Sequence, residues 1–137
     1  MNRKDLQTLS GIRLKEAKAL FDLGLYSGSY YLAGYAVECA LKACIAKKTG
    51  RYDFPDPALV KNLFVHGPKE LLAKANLSQL RAEDAKADLA FRTNWDIVER
   101  WSPESRYTIP SREEADLLVT AVASARHGVI SWIKQHW

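Results

Sequence analysis

The apolar side chains of this chain recur every three or four residues over most of its length, and no segment alternates apolar and polar residues over the length of a strand. This period is typical of helices that turn one face to a core. The pattern predicts an all-α protein with four long helices and one short helix, over residues 4–23, 27–48, 68–75, 78–101 and 111–137. Such a set favours an antiparallel up-and-down bundle.

Residues that favour helix ends mark several of these boundaries. Gly24 follows the first helix as a stop signal, and Ser27 is predicted to cap the second. Ser111 and Glu114 have the spacing of a capping box, in which each side chain bonds the other's backbone N–H. Residues 51–68 contain three prolines and keep no period. They predict a long connection, which either carries function or crosses the end of the bundle.

The composition indicates one domain over residues 1–137. Of the 137 residues, 47% are apolar and 26% are charged, which is enough for a real core. Charges interrupt the longest apolar run, so we expect no membrane-spanning helix. The N-terminus lacks the order of a signal peptide, and we therefore expect a cytoplasmic protein.

The cysteines and histidines indicate neither a metal site nor a cofactor. Cys39 and Cys44 are five residues apart, point to different faces of one helix, and are interpreted as small core residues. The three histidines are scattered, and neither CxxC nor HxxxH spacing occurs. The formal charge of +4 permits an acidic partner such as a nucleic acid without requiring one.

A polar stripe runs along the second helix beside its apolar face. Tyr31, Tyr35, Glu38 and Lys42 are spaced so that they share one side of the helix. Glu38 and Lys42 could form an exposed pair worth about 0.3–0.5 kcal/mol. The small and aromatic neighbours instead favour a semi-buried position with a structural or interface role, ahead of a ligand-binding one.

A second group of candidates interleaves arginines with aromatic residues over residues 91–107. Arginine forks bind phosphates and aromatic faces stack on bases, so the mixture could hold single-stranded RNA or a nucleotide. Trp95 and Trp101 are interpreted as core residues because they keep the helical spacing. Arg106 and Tyr107 follow the helix in a loop, where a functional and a structural role both remain open.

Known catalytic patterns are missing from the sequence. It contains no GxSxG, Walker A, GxGxxG or HExxH motif. His66 precedes a glycine and a proline at the start of the short helix, and we interpret it as having a local structural role.

The ordered motifs resemble the HEPN family (higher eukaryotes and prokaryotes nucleotide-binding). The resemblance covers nearly the whole chain and is carried by Tyr31, the segment AGYAVExxLKA at residues 33–43, His66 ahead of Leu71-Leu72, and Arg106-Tyr107. It implies a helical bundle that is usually dimeric. Members include ribonuclease toxins of toxin–antitoxin systems, partners of small nucleotidyltransferases and noncatalytic modules linked to RNA.

The ribonuclease branches of that family use an arginine followed, after four to six residues, by a histidine. The corresponding positions before His66, His127 and His136 hold no arginine. Cleavage without a metal needs a base for the 2′-hydroxyl and a cation for the phosphorane. The missing arginine therefore argues against an enzyme. The ligand or interface candidates that remain are Tyr31, Tyr35, Glu38, Lys42, His66, Arg106 and Tyr107.

Two functions remain open at this point. The first is a noncatalytic HEPN homodimer that binds a nucleotide, RNA or a partner nucleotidyltransferase. The alternative is a diverged ribonuclease toxin in which Arg106 and His66 meet. In either case a buried Glu38 needs a cation, and we expect Arg106 to supply it while Lys42 reaches outward to solvent.

Overall fold

The structure, a computed structural model, describes residues 1–48 and 65–137. Every regular element in these two ranges is a helix, which confirms the predicted all-α bundle. The elements are α1 (Arg3–Asp22), α2 (Tyr26–Lys47), α3 (Pro68–Lys74), α4 (Ser78–Ala87), α5 (Leu89–Glu99), a 3-10 helix (Pro103–Tyr107), α6 (Arg112–Ala123) and α7 (Val129–Lys134). Most of the predicted connection over residues 51–68 lies outside the described residues.

Helices α1 and α2 form an antiparallel hairpin around Gly24, whose φ of +76° is a conformation that glycine adopts without strain. The Leu25 N–H donates to the Leu20 carbonyl at 2.9 Å, as in a Schellman turn. Helix α2 therefore begins at Tyr26, with Leu25 as its N-cap. The prediction that Ser27 caps this helix was wrong, because the tight turn starts the helix before that residue.

Two buried serines fix the register of the hairpin. Ser10 Oγ donates to the Ala36 carbonyl at 2.8 Å, and Ser29 Oγ donates to the Ala17 carbonyl at 2.7 Å. Residues later in α1 therefore contact residues earlier in α2.

Helix α2 lies at the centre of the bundle and contacts α1, α3, α6, α7 and the 3-10 helix. From Ala33 to Ile45 every residue except Tyr35 and Lys42 is buried. This central position explains why α2 has small residues on all of its faces, because small side chains let the neighbouring helices approach closely. Cys39 and Cys44 are free and buried, which confirms their interpretation as core residues.

The helix predicted over residues 78–101 is interrupted at Asp88. This residue has extended backbone angles and caps α5, with Oδ1 accepting a hydrogen bond from the Phe91 N–H at 3.0 Å. Leu80 and Ala87 keep the helical spacing of Phe91, Trp95 and Val98, yet both are exposed. Trp95 and Trp101 are each only 1% exposed and are core residues, as predicted.

The last predicted helix is also interrupted. Its start is confirmed, because Ser111 and Glu114 form the capping box, with the Glu114 N–H donating to Ser111 Oγ at 3.1 Å. Residues 124–128 then separate α6 from α7. Gly128 is required at this break, since a Cβ atom there would come within 2.2 Å of the Ser124 carbonyl oxygen.

Within residues 1–48 and 65–137, no helix combines the length and the apolar character that crossing a bilayer requires.

Candidate polar and aromatic site on helix α2

Glu38 is the buried charge at the centre of the candidate site. It is 3% exposed, and its Oε1 lies 2.8 Å from Lys42 Nζ and 2.9 Å from His66 Nδ1. A carboxylate at this depth would be costly without such partners. The structure therefore excludes an exposed pair, and it buries Glu38 more deeply than the semi-buried position expected from the small neighbours.

The cation that meets Glu38 is Lys42, and the expectation that Arg106 would do so was wrong. Lys42 was expected to reach solvent, but its side chain is only 13% exposed, because one helical turn places its ammonium directly beside the carboxylate. Among the described residues, Arg106 forms no ion pair with Glu38 and lies instead over the ring of Tyr107.

His66 reaches the same carboxylate oxygen from a different part of the chain. It stands just before α3, where Gly67 is the N-cap and Pro68 occupies the first turn. Its side chain is 51% exposed, so one ring nitrogen faces Glu38 while much of the ring faces solvent. When Nδ1 carries the proton it donates to the carboxylate, which fixes the tautomer and the orientation of the imidazole.

An aromatic surface continues the stripe toward the start of α2. The ring centres of Tyr31 and Tyr35 are 6.1 Å apart with nearly parallel planes, and Tyr31 lies at the same distance from Trp101. Gly34 allows this packing, since a Cβ atom there would lie 2.1 Å from the indole of Trp101. The glycine of the AGYAVE segment is thus explained by a close contact between α2 and the segment after α5.

Arginines lie on both sides of this aromatic surface. Arg13 Cζ is 5.9 Å from the centre of the Tyr35 ring, and Arg106 Cζ is 5.0 Å from the centre of the Tyr107 ring. The neighbouring hydroxyls of Tyr107 and, to a smaller extent, Tyr31 raise the pKa of Arg106. We call Tyr31, Arg106 and Tyr107 the arginine–tyrosine cluster. It is cationic and largely open to solvent, with Tyr107 78% exposed.

Burial controls the protonation of the remaining groups near Glu38. Desolvation raises the pKa of the Tyr35 hydroxyl, and it raises that of the Cys39 thiol to about 11. The negative charge of Glu38 acts in the same direction on both groups. Cys39 is therefore a protonated thiol near neutral pH and a poor nucleophile.

The seven candidates form two neighbouring groups. Glu38, Lys42 and His66 make one hydrogen-bonded network, and Arg106 and Tyr107 extend the aromatic surface of Tyr31 and Tyr35. Arg106 and His66, which the ribonuclease alternative would bring together, belong to different groups.

A second polar centre, which was not among the sequence predictions, lies where the two helix breaks meet. His127 Nδ1 lies 2.7 Å from Asp88 Oδ2, and Asn94 Nδ2 donates to the His127 carbonyl at 2.9 Å. Trp132 Nε1 donates to Asp84 Oδ2 at 2.8 Å nearby. Aspartate at the first position of an apolar helical stretch was the available signal for the cap. Its pairing with a residue 39 positions away was not visible in any local pattern.

Open clefts lie beside both centres. One of about 460 Å³ is bounded by Trp101, the start of α3 and Glu99, and one of about 300 Å³ lies against Asp84, Asp88 and Trp132. The part of the chain that the structure describes holds no group of three or more His, Cys, Asp or Glu side chains suited to a metal ion.

The comparisons with known proteins identify one family. The family described as the HEPN domain matches residues 10–135, which include most of α1 and all the later helices. No curated protein and no solved structure matched the chain significantly. The matched range contains the AGYAVExxLKA segment, His66 and the arginine–tyrosine cluster in the order that the motifs had suggested. From this match over nearly its whole length, the chain belongs to the HEPN domain family.

Proposed function

We propose that this protein is a noncatalytic HEPN-domain module that acts as a homodimer and binds RNA or a nucleotide at the arginine–tyrosine cluster. A small nucleotidyltransferase, which the family resemblance implies, is the proposed protein partner. The setting is a toxin–antitoxin or defence system in the cytoplasm.

The observation that carries the binding proposal is the position of Arg106. Its guanidinium lies over the ring of Tyr107, and among the described residues no carboxylate lies within 4 Å of it. A guanidinium has five N–H donors, so contacts with the tyrosine hydroxyls leave donors for a phosphate, in the bidentate geometry that the guanidinium favours. The exposed ring of Tyr107 offers a face on which a base can stack.

The position of His66 supports the absence of catalysis. Its Nδ1 is engaged by the buried Glu38, which holds Lys42 as well. A metal-independent ribonuclease needs a histidine or similar base beside a cation that faces the same phosphate. Lys42, the cation nearest to His66 in the network, is neutralised by Glu38, the carboxylate that both side chains contact. Little positive charge therefore remains to stabilise the phosphorane that RNA cleavage forms.

Binding is tested by fluorescence anisotropy with a labelled single-stranded RNA of about 20 nucleotides. We expect Tyr107→Ala to cost about 1–3 kcal/mol of binding free energy, the usual contribution of one stacked base. Arg106→Gln is expected to weaken binding and to reduce its dependence on salt. Arg92→Gln is the matched control, because Arg92 is an exposed arginine on the outer side of α5. Equal affinity in all four proteins contradicts the proposed site.

Cleavage and assembly are tested on the same preparation. We expect RNA incubated with the protein to remain as intact as in buffer. Cleavage that His66→Ala abolishes would establish the ribonuclease alternative instead. Light scattering at micromolar concentration is expected to give about twice the 15.4 kDa mass of one chain, and a mass of one chain contradicts the homodimer.

A further inference from the structure

Several lysines and arginines lie at one end of the bundle. Helices α2, α3 and α7 all end there, and each ends on a lysine. Lys48 Nζ donates to the Lys74 carbonyl at 3.4 Å, and Cys44 Sγ lies 3.9 Å from the Ile133 carbonyl oxygen. These contacts bring the three helix ends together.

The first turn of α1 lies at the same end. The register fixed by Ser10 and Ser29 places Arg3 and Lys4 level with the last two turns of α2. Gln7 Nε2 also donates to the Trp137 carbonyl at 3.5 Å, which joins this turn to the segment after α7. We call this set the basic end: it consists of Arg3, Lys4, Lys47, Lys48, Lys74 and Lys134, all of them exposed.

Acidic side chains near these six cations already accept hydrogen bonds within the fold. Asp5 lies in the first turn of α1, beside Arg3 and Lys4. Asp5 accepts a hydrogen bond from the Asn2 N–H as part of the α1 cap, and Asp84, on α4, accepts one from Trp132.

Helix dipoles explain only part of this arrangement. Lysines at the ends of α2, α3 and α7 offset partial charges of about −0.5 at each helix C-terminus. Arg3 and Lys4 stand at a helix N-terminus, where the dipole disfavours cations. Their presence beside four lysines indicates that the surface favours an anionic partner at some cost to α1.

The surroundings of these cations favour a phosphate backbone over a protein. The last turns of α2, α3 and α7 present no exposed large apolar side chain, and the start of α1 adds Met1. A stable protein interface usually has several apolar or aromatic anchors that become buried together. A chain of phosphodiesters needs only well-spaced cations, whose binding releases counterions.

We propose that the basic end is a second RNA-contacting surface, which holds the sugar-phosphate backbone without reading its sequence. The inference rests on the proposed function for the identity of RNA as the ligand. It adds a separate surface, since Tyr31 and Lys47 are 16 residues apart on α2, or about 24 Å at 1.5 Å per residue. An RNA of several nucleotides could touch both surfaces.

The test compares two triple variants of the full chain. One neutralises the basic end (Lys47→Gln, Lys48→Gln and Lys134→Gln), and the control neutralises three exposed lysines elsewhere (Lys15→Gln, Lys18→Gln and Lys86→Gln). Both lose the same formal charge. Binding of the labelled RNA of about 20 nucleotides is measured between about 50 and 200 mM NaCl, and thermal melting verifies that both variants remain folded.

We expect the basic-end variant to bind roughly tenfold more weakly, with a log–log salt slope less steep by about 2, since each phosphate contact contributes about 0.7 for single strands. The control is expected to change much less. If the two variants lose the same RNA affinity, the effect comes from net charge alone, and the proposal is overturned. Equally tight binding of polyglutamate in place of RNA would overturn it in favour of an acidic protein segment.

The outcomes also separate this inference from the proposed function. Loss in the basic-end variant with no effect of Arg106→Gln or Tyr107→Ala supports the basic end and contradicts the arginine–tyrosine cluster. The reverse pattern contradicts the basic end alone. Failure of the unaltered protein to bind RNA contradicts both.

Discussion

Glu38 and His66 are 28 residues apart in the sequence, yet Glu38 Oε1 and His66 Nδ1 lie 2.9 Å apart. With Lys42 on the same oxygen, this contact joins the central helix α2 to the start of α3. A buried carboxylate thus holds together two segments that are separated by residues 49–64.

Removal of the Glu38 charge is expected to destabilise the protein substantially. Glu38→Gln leaves the ammonium of Lys42 without its anion in a site where it is only 13% exposed, and we expect a loss of about 2–4 kcal/mol in the free energy of unfolding. Lys42→Met should cost a similar amount, and the double variant should cost less than the sum. Urea denaturation measures all three. Glu16→Gln breaks a much more accessible pair, with Arg13, whose two side chains are 31% and 41% exposed, and should cost no more than about 0.5 kcal/mol.

Gly34→Ala is expected to be among the most damaging single-methyl additions to the chain. The new Cβ atom would meet the buried ring of Trp101 at 2.1 Å, and overpacking of this kind costs about 1–3 kcal/mol or more. Gly11→Ala is the matched control, because it adds a methyl group to a helix where nothing lies within 4 Å. That variant should gain about 0.5–1 kcal/mol. Similar urea midpoints for the two variants would contradict the packing described for Trp101.

The Asp88–His127 pair predicts how stability falls in acid. The hydrogen bond from His127 lowers the pKa of Asp88 below its usual 3.8. A lowered folded-state pKa stabilises the protein above the unfolded-state pKa, and that contribution disappears as the pH falls through the folded value. Asp88→Asn keeps the cap of α5 but not the charge. Its melting temperature should therefore fall less steeply than that of the unaltered protein between pH 5 and pH 2.

Asp96→Asn serves as the control for the acid measurement, since Asp96 is an exposed carboxylate on the same helix. Its melting temperature should follow that of the unaltered protein across this range. If Asp96→Asn and Asp88→Asn give the same curve, the stabilisation does not come from the Asp88–His127 pair.

Both cysteines are expected to resist thiol reagents while the protein is folded. Burial raises the pKa of Cys39 and of Cys44 to about 11, and both side chains are buried. At pH 8 almost no thiolate is present, and the reagent has no access to the sulfur. Ellman's reagent should detect no rapid reaction in the native protein and two thiols per chain in guanidinium chloride. A thiol that reacts quickly in the native state contradicts the burial of α2.

The sequence predicted the helices well because burial on one face leaves a period, but it did not predict their interruptions. Phe91, Trp95 and Val98 keep the helical spacing, and nothing in that period shows that the helix before them ends at Asp88. Asp88 caps α5 with one carboxylate oxygen, and His127, 39 residues further along the chain, bonds the other oxygen.

The sequence also predicted only part of the candidate site. Helical spacing placed Glu38 and Lys42 on one face, and their pairing follows from it. The burial of that face depends on α2 lying at the centre of the bundle, which its small residues suggested without establishing. The contact with His66 and the absence of one with Arg106 depend on how distant segments pack, and no local pattern contains that information.

The contact between Trp101 and Gly34 also determines how the arginine–tyrosine cluster is presented. Trp101 is anchored on α2, Ser105 is buried in the middle of the following segment, and Pro110 is buried at its end. Arg106 and Tyr107 therefore project from the short segment between α5 and α6, which is held in place by three buried residues. A ligand that binds them meets a preorganised backbone, so little conformational entropy is lost on association. Affinity at this surface would then depend on a glycine that the ligand never touches.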